Sequence, residues 1–183
     1  MKLNSYIDHT LLKPTARTEE IEQLCHEAIQ YQFAAVCIPP YYIKTAKNAL
    51  ENTSIKTATV IGFPFGYSVV QAKQDEIKIA IDNKVDELDV VINLLALKNN
   101  DWNYLSVEAE ELINTVKQAN KTIKIIIESG VLTDDEIKKC CELYGGMNAD
   151  FLKTSTGYAE KGATIEAVKI MRENLPSHIQ VKA

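Results

Sequence analysis

Several large protein classes are excluded by what this sequence lacks. No run of apolar residues approaches the ~20 needed to span a bilayer. The N-terminus, Met1-Lys2-Leu3-Asn4-Ser5-Tyr6, has no apolar core of a signal peptide. A cytoplasmic protein without a membrane partner is therefore expected. Lys and Arg number 20 against 25 Asp and Glu, a net charge of −5, and no dense basic block interrupts that balance. A nucleic-acid partner is not expected on that surface. Four cysteines, Cys25, Cys37, Cys140 and Cys141, show no C-x-x-C spacing, and only three histidines accompany them. They suggest neither a zinc site nor a disulfide framework, and buried thiols in a reducing compartment fit better. The glycine-rich nucleotide loops G-x-G-x-x-G and G-x-x-x-x-G-K-[ST] are also missing.

What is present is ordinary in composition and regular in order. With 183 residues, 46% apolar and 25% charged, the chain suits one globular domain with a substantial core. Residues 6–12 read as a first strand, closed by Lys13-Pro14-Thr15. Thr18 with Glu19 and Glu20 opens a helix whose Ile21, Leu24, Cys25, Ala28 and Ile29 repeat at helical spacing. The apolar run 33–38 is a second strand stopped by Pro39-Pro40, and a helix is expected near 41–50. Strands over 56–63, 87–92, 123–128, 150–157 and 179–182 follow. They are separated by helices over about 69–83 (with Val70, Ile77, Ala80 and Ile81 on one face), 102–119, from Thr133 onward, and 164–173.

Strands that are apolar throughout are buried on both faces, and their alternation with helices implies βαβ units and a parallel sheet. An open doubly wound sheet and a (β/α)8 barrel both satisfy this. The missing nucleotide loops weaken the open sheet. Asp89, Glu128, Lys153 with Thr154 and Thr156, and Lys182 all fall at C-terminal ends of different strands, where barrels gather their active sites. An α/β fold of the TIM-barrel type is expected, incomplete because about seven strands are present. Gly62, Pro64 and Gly66 shape the loop after the third strand.

The stretch Asp150-Phe-Leu-Lys-Thr-Ser-Thr-Gly157 places Lys153 in apolar and β-branched company. Burial disfavours an ammonium, so its pKa should fall, giving an amine able to form a Schiff base with a carbonyl. A strand-end lysine that snorkels to water is the bland alternative. Asp89, in Leu88-Asp89-Val90-Val91, needs a cationic partner if it is buried, and Lys153 and Lys182 are the candidates. A plain buried ion pair that fixes strand register would have the same spacing.

Five motifs in order, Asp8-His-Thr-Leu-Leu-Lys13, Ala35-Val-Cys-Ile38, Val60-Ile-Gly-Phe-Pro64, Glu87-Leu-Asp-Val-Val-Ile-Asn93 and Phe151-Leu-Lys-Thr-Ser-Thr-Gly157, resemble the deoxyribose-phosphate aldolase family. The resemblance runs from residue 5 to the last residue. It implies a class I aldolase on a TIM barrel that reversibly cleaves 2-deoxy-D-ribose 5-phosphate to acetaldehyde and D-glyceraldehyde 3-phosphate, without metal or cofactor. By position it makes Lys153 the Schiff-base lysine, Lys182 the second lysine that keeps the first neutral, and Asp89 the proton-transfer carboxylate. Asp8, Thr10, Cys37 and Thr156 match substrate-pocket residues, although for Cys37 a plain core thiol is the favoured reading.

Family members continue after V-K-A with a G-G-[IV]-R loop, a helix, an eighth strand and a G-[TA]-S-S segment that supply phosphate-binding amides. This sequence stops at Ala183. The expectation is a single barrel domain over 1–183 lacking its last βα segment, which keeps the chemistry and handles phosphorylated substrate poorly. Open strand edges would favour a homo-oligomer. A catalytically silent fragment or self-associating subunit is the alternative from another class, and a different phosphosugar Schiff-base aldolase is a third reading.

Overall fold

In a computed structural model that describes residues 2–183, seven parallel strands alternate with helices. The strands are β1 Asp8–Thr10, β2 Ala35–Ile38, β3 Lys56–Ile61, β4 Glu87–Val91, β5 Thr122–Ile126, β6 Phe151–Lys153 and β7 Gln180–Lys182. The helices are α1 Thr18–Tyr31, α2 Ile43–Ala49, α3 Val70–Asp82, α4 Leu94–Lys98, α5 Trp102–Gln118, α6 Asp134–Gly145 and α7 Ile165–Asn174. Neighbouring strands follow chain order, the order of a (β/α) barrel, carried here by seven strands. Among the described residues no helix is long and apolar enough to cross a membrane.

Contacts group the chain into two compact units, residues 1–60 with 78–88 and residues 61–77 with 89–183. In the first, β1 pairs β2 and β2 pairs β3, with Thr10 opposite Cys37 and Cys37 opposite Ala58. In the second, β5 pairs β6 and β6 pairs β7, with Ile126 opposite Lys153 and Lys153 opposite Lys182.

One device fixes register in both units. Just before β4, the Asp86 carboxylate accepts from the Thr57 N–H of β3 at 2.9 Å and from Lys47 of α2 at 3.1 Å. Just before β6, the Asp150 carboxylate accepts from the Ile123 N–H of β5 at 2.8 Å and from Lys117 of α5 at 2.7 Å. Each aspartate replaces a missing ladder partner where its strand begins, and the lysine offsets its half-buried charge.

The strands are shorter than the apolar runs suggest. Residues 3–6 form a 3-10 turn, so the first strand begins only at Asp8. The run at 150–157 yields three strand residues, because Thr154 to Gly157 turn away toward Glu128. Glu128 itself lies past β5 in the left-handed region (φ 53°), capping a 3-10 turn over Ser129–Val131. The short α4, capped by Asn93 Oδ1 on the Ala96 N–H at 3.1 Å, is an element that hydropathy spacing did not announce. In α1, Ile21, Leu24, Cys25 and Ala28 are buried as their spacing predicts, and Ile29 is exposed. In α3, Ile77 and Ala80 are buried, Val70 and Ile81 only half so.

Candidate active site

Four charged side chains converge within the second unit. Period two along a strand sends alternate side chains to one face. The register therefore sets Lys124 of β5, Lys153 at the end of β6 and Lys182 at the end of β7 on a common face. Asp89, two residues from the end of β4, is fully buried, and its carboxylate joins this face. Its Oδ2 accepts from Lys153 Nζ at 2.6 Å and its Oδ1 from Lys124 Nζ at 2.9 Å. The Lys124 side chain is 2% exposed and that of Lys153 14%, so of the three it is the Lys153 amine that opens toward solvent.

Burial by itself pushes the Asp89 carboxyl up. The charges of Lys124 and Lys153, with the hydrogen bonds they donate, more than reverse that and hold it below the usual carboxylate range. Asp89 is thus a carboxylate held between two ammonium groups, close enough to Lys153 to exchange a proton with it.

Backbone bonds lock the end of β6 in place. Ile127 N–H donates to the Lys153 carbonyl at 3.0 Å, Thr154 N–H to that of Lys182 at 2.9 Å, and Ser129 N–H to that of Thr154 at 2.7 Å. The Glu128 carboxylate receives both the N–H and the hydroxyl of Thr156, tying the segment after Lys153 to the segment after β5.

The anticipated residues are distributed as follows. Lys153 and Asp89 are in direct contact, Lys182 is the rung neighbour of Lys153, and Thr156 follows within the Glu128-anchored turn. Asp8, Thr10 and Cys37 belong to the first unit, where Thr10 and Cys37 are register partners and Asp8 lies two residues back on the same face. Cys37 is fully buried and Thr10 exposed. Lys124 is the site residue that sequence reasoning missed. Its signal was a charge inside the apolar run Ile123-Lys124-Ile125-Ile126, the same context that singled out Asp89.

The model of the DeoC/LacD family aldolases matches residues 3–181. A deoxyribose-phosphate aldolase of Clostridium tetani is 44% identical over 183 residues, covering 100% of this chain and 84% of that protein. Among solved structures, an aldolase designated QR15 superposes with a TM-score of 0.94 at 34% identity, over 100% of this chain and 81% of its own. The tetrameric deoxyribose phosphate aldolase of Aeropyrum pernix does so with 0.90 at 30% identity, over 99% and 76%. With a family model spanning nearly all of it and a Lys–Asp–Lys centre at the strand ends, this chain belongs to the DeoC/LacD aldolase family.

Proposed function

We propose that residues 1–183 act as one class I aldolase domain that reversibly cleaves 2-deoxy-D-ribose 5-phosphate to acetaldehyde and D-glyceraldehyde 3-phosphate, with Lys153 as the Schiff-base nucleophile. The observation that carries this reading is the 2.6 Å contact between Lys153 Nζ and the buried Asp89 carboxylate. The substrate follows the names of relatives at 44% identity, among them the aldolase of Clostridium tetani.

The amine of Lys153 adds to the C1 aldehyde of the open-chain sugar, forming the C–N bond of a carbinolamine. Asp89 first takes a proton from the Lys153 ammonium, freeing the amine. After a proton has passed from nitrogen to oxygen in the carbinolamine, Asp89 gives its proton to the hydroxyl, which leaves as water and gives the iminium. Asp89, ionised again, takes the C3 hydroxyl proton as the C2–C3 bond breaks, and holds it for the later protonation at C2. The bonding pair moves into the enamine, and glyceraldehyde 3-phosphate departs. Protonation at C2 and addition of water release acetaldehyde and restore the amine. Lys124 holds the second oxygen of Asp89, so the carboxylate stays ionised and aimed while its other oxygen works. Lys182, on the rung of Lys153, opposes a second full ammonium beside it. Asp8, Thr10, Cys37 and Thr156 are assigned to the substrate pocket. The protein acts in the cytoplasm on small molecules and as a homo-oligomer, in keeping with the tetramer of the Aeropyrum pernix relative.

Borohydride trapping with acetaldehyde tests the reading. A single reduced adduct that peptide mapping places on Lys153, lost in Lys153→Leu, is expected. A folded protein that traps nothing would reject it.

A further inference from the structure

Behind the catalytic strand ends lies a second buried ion pair that the chemistry above does not use. Lys73 of α3 and Glu108 of α5 meet at 2.8 Å, with side chains 0% and 3% exposed. Each occupies the apolar side of its helix, Lys73 one turn before Ile77, and Glu108 between Leu105 and Leu112. Burial pushes the Lys73 ammonium down and the Glu108 carboxyl up, each only partly offset by its partner, so the pair costs stability relative to an apolar contact.

An apolar pair could join the two helices as well, but it could not bind main chain, and both of these groups do. Lys73 Nζ donates to the Val91 carbonyl at 2.7 Å, and Glu108 Oε2 accepts from the Asn93 N–H at 3.0 Å. The two bonds grip β4 on either side of Ile92, whose own N–H donates to the Ile126 carbonyl at 3.1 Å. Ile126 is in register with Lys153, and Val91 is two residues from Asp89. The grip is therefore applied where β4 is aligned with the strand that neighbours the nucleophile. The loop after β3 is shaped around it. A Cβ on Gly62 (φ +62°) would stand 2.7 Å from Lys73 Cε, and one on Gly66 (φ +70°) 1.8 Å from the Ile92 carbonyl oxygen. Both glycines are required there by backbone conformation and by close approach together.

We propose that Lys73 and Glu108 are positioning residues, a charged clamp on the exit of β4 that holds Asp89 at proton-transfer distance from Lys153. The proposal rests on the aldolase reading above. It separates two readouts of the site: the end-point yield of the trapped adduct reports the Lys153 amine, whereas the rate of turnover also reports Asp89 in place.

The test compares wild type, Lys73→Met/Glu108→Leu and Glu108→Gln. The double variant removes both charges at similar volume, which a merely structural pair tolerates without loss of turnover. Glu108→Gln keeps an oxygen for the Asn93 N–H. Carried to its end point, trapping of acetaldehyde on Lys153 should be as complete in the double variant as in wild type, while its retro-aldol kcat falls about tenfold or more with KM little changed. Glu108→Gln should recover part of that loss. A folded double variant with wild-type kcat overturns the clamp. If the double variant does not fold, Glu108→Gln decides alone, and an unchanged kcat overturns the clamp. Absence of a Lys153 adduct in wild type would instead reject the aldolase reading, and the clamp with it.

Discussion

Lys153 and Lys182 are opposite residues on one rung of β6 and β7, and the Thr154 N–H donates to the Lys182 carbonyl at 2.9 Å. The backbone thus sets side by side the Cα atoms of two lysines, one of which, Lys153, bonds the Asp89 carboxylate. The ladder sets the backbone spacing at which the proposed influence of Lys182 on Lys153 would act. Lys182→Met should leave the fold intact, since the side chain is only half-buried. It should slow formation of the trapped acetaldehyde adduct on the order of 10²-fold. An unchanged trapping rate would remove Lys182 from the chemistry.

The depressed titration of Asp89 has a definite pH consequence. A carboxyl whose folded pKa lies below its unfolded value contributes stability that is fully present above the unfolded value, near 4. That contribution is lost as pH falls from there through the folded value. Lys124→Met removes one of the two charges that outweigh burial at Asp89. The Asp89 carboxyl should then titrate at higher pH, so the stability lost on acidification should be smaller and be complete at a higher pH, with its onset near the unfolded value unchanged. Urea midpoints across the acid range, with the 13C shift of the Asp89 carboxyl, check this. Coincident curves for variant and wild type would refute it.

The order of strands and helices was legible because each buried strand is a short apolar run and each helix repeats at helical spacing. The contact between Lys153 and Asp89 was legible for the complementary reason: both are charges inside such runs, where an unpaired charge is costly. Lys124 obeys the same rule and went unread beside the motif residues. Lys73 and Glu108 were hidden by helical geometry. A single charge on an apolar helix face is unremarkable until a second helix brings its counter-ion to 2.8 Å. The end of β6 was overread, because Thr154 to Gly157 have strand-like neighbours in sequence while their bonds go to Glu128. The route of a turn depends on distant side chains, and local propensity does not carry that information.

Stability should separate the two members of the buried pair from the pair itself. Glu108→Leu leaves Lys73 buried without its counter-charge and the Asn93 N–H without its acceptor. It should cost about 3–5 kcal/mol. Adding Lys73→Met should restore most of that loss, because no buried charge then remains. Denaturant unfolding of both singles and the double gives the coupling energy. Additive effects would show that the two charges do not stabilise one another.

Glu128 is the residue through which the segment after Lys153 is anchored, and its removal should have a different signature from the loss of Asp89. It is 3% exposed, sits in the left-handed region at φ 53°, and spends its carboxylate on the N–H and hydroxyl of Thr156. An alanine at that φ keeps the backbone cost and loses the anchor, so Glu128→Ala should free the turn over residues 154–157 without touching the Lys153–Asp89 contact. The adduct on Lys153 should still form with acetaldehyde, which is too small to need that turn. Cleavage of deoxyribose 5-phosphate should weaken mainly through KM, because Thr156 is assigned to the sugar pocket. Amide exchange of Thr156 and Tyr158 should accelerate in parallel. If exchange accelerates and KM stays at its wild-type value, the turn is structural and Thr156 does not contact the sugar. If KM rises together with exchange while trapping is preserved, the anchor on Glu128 is what presents this turn to the substrate.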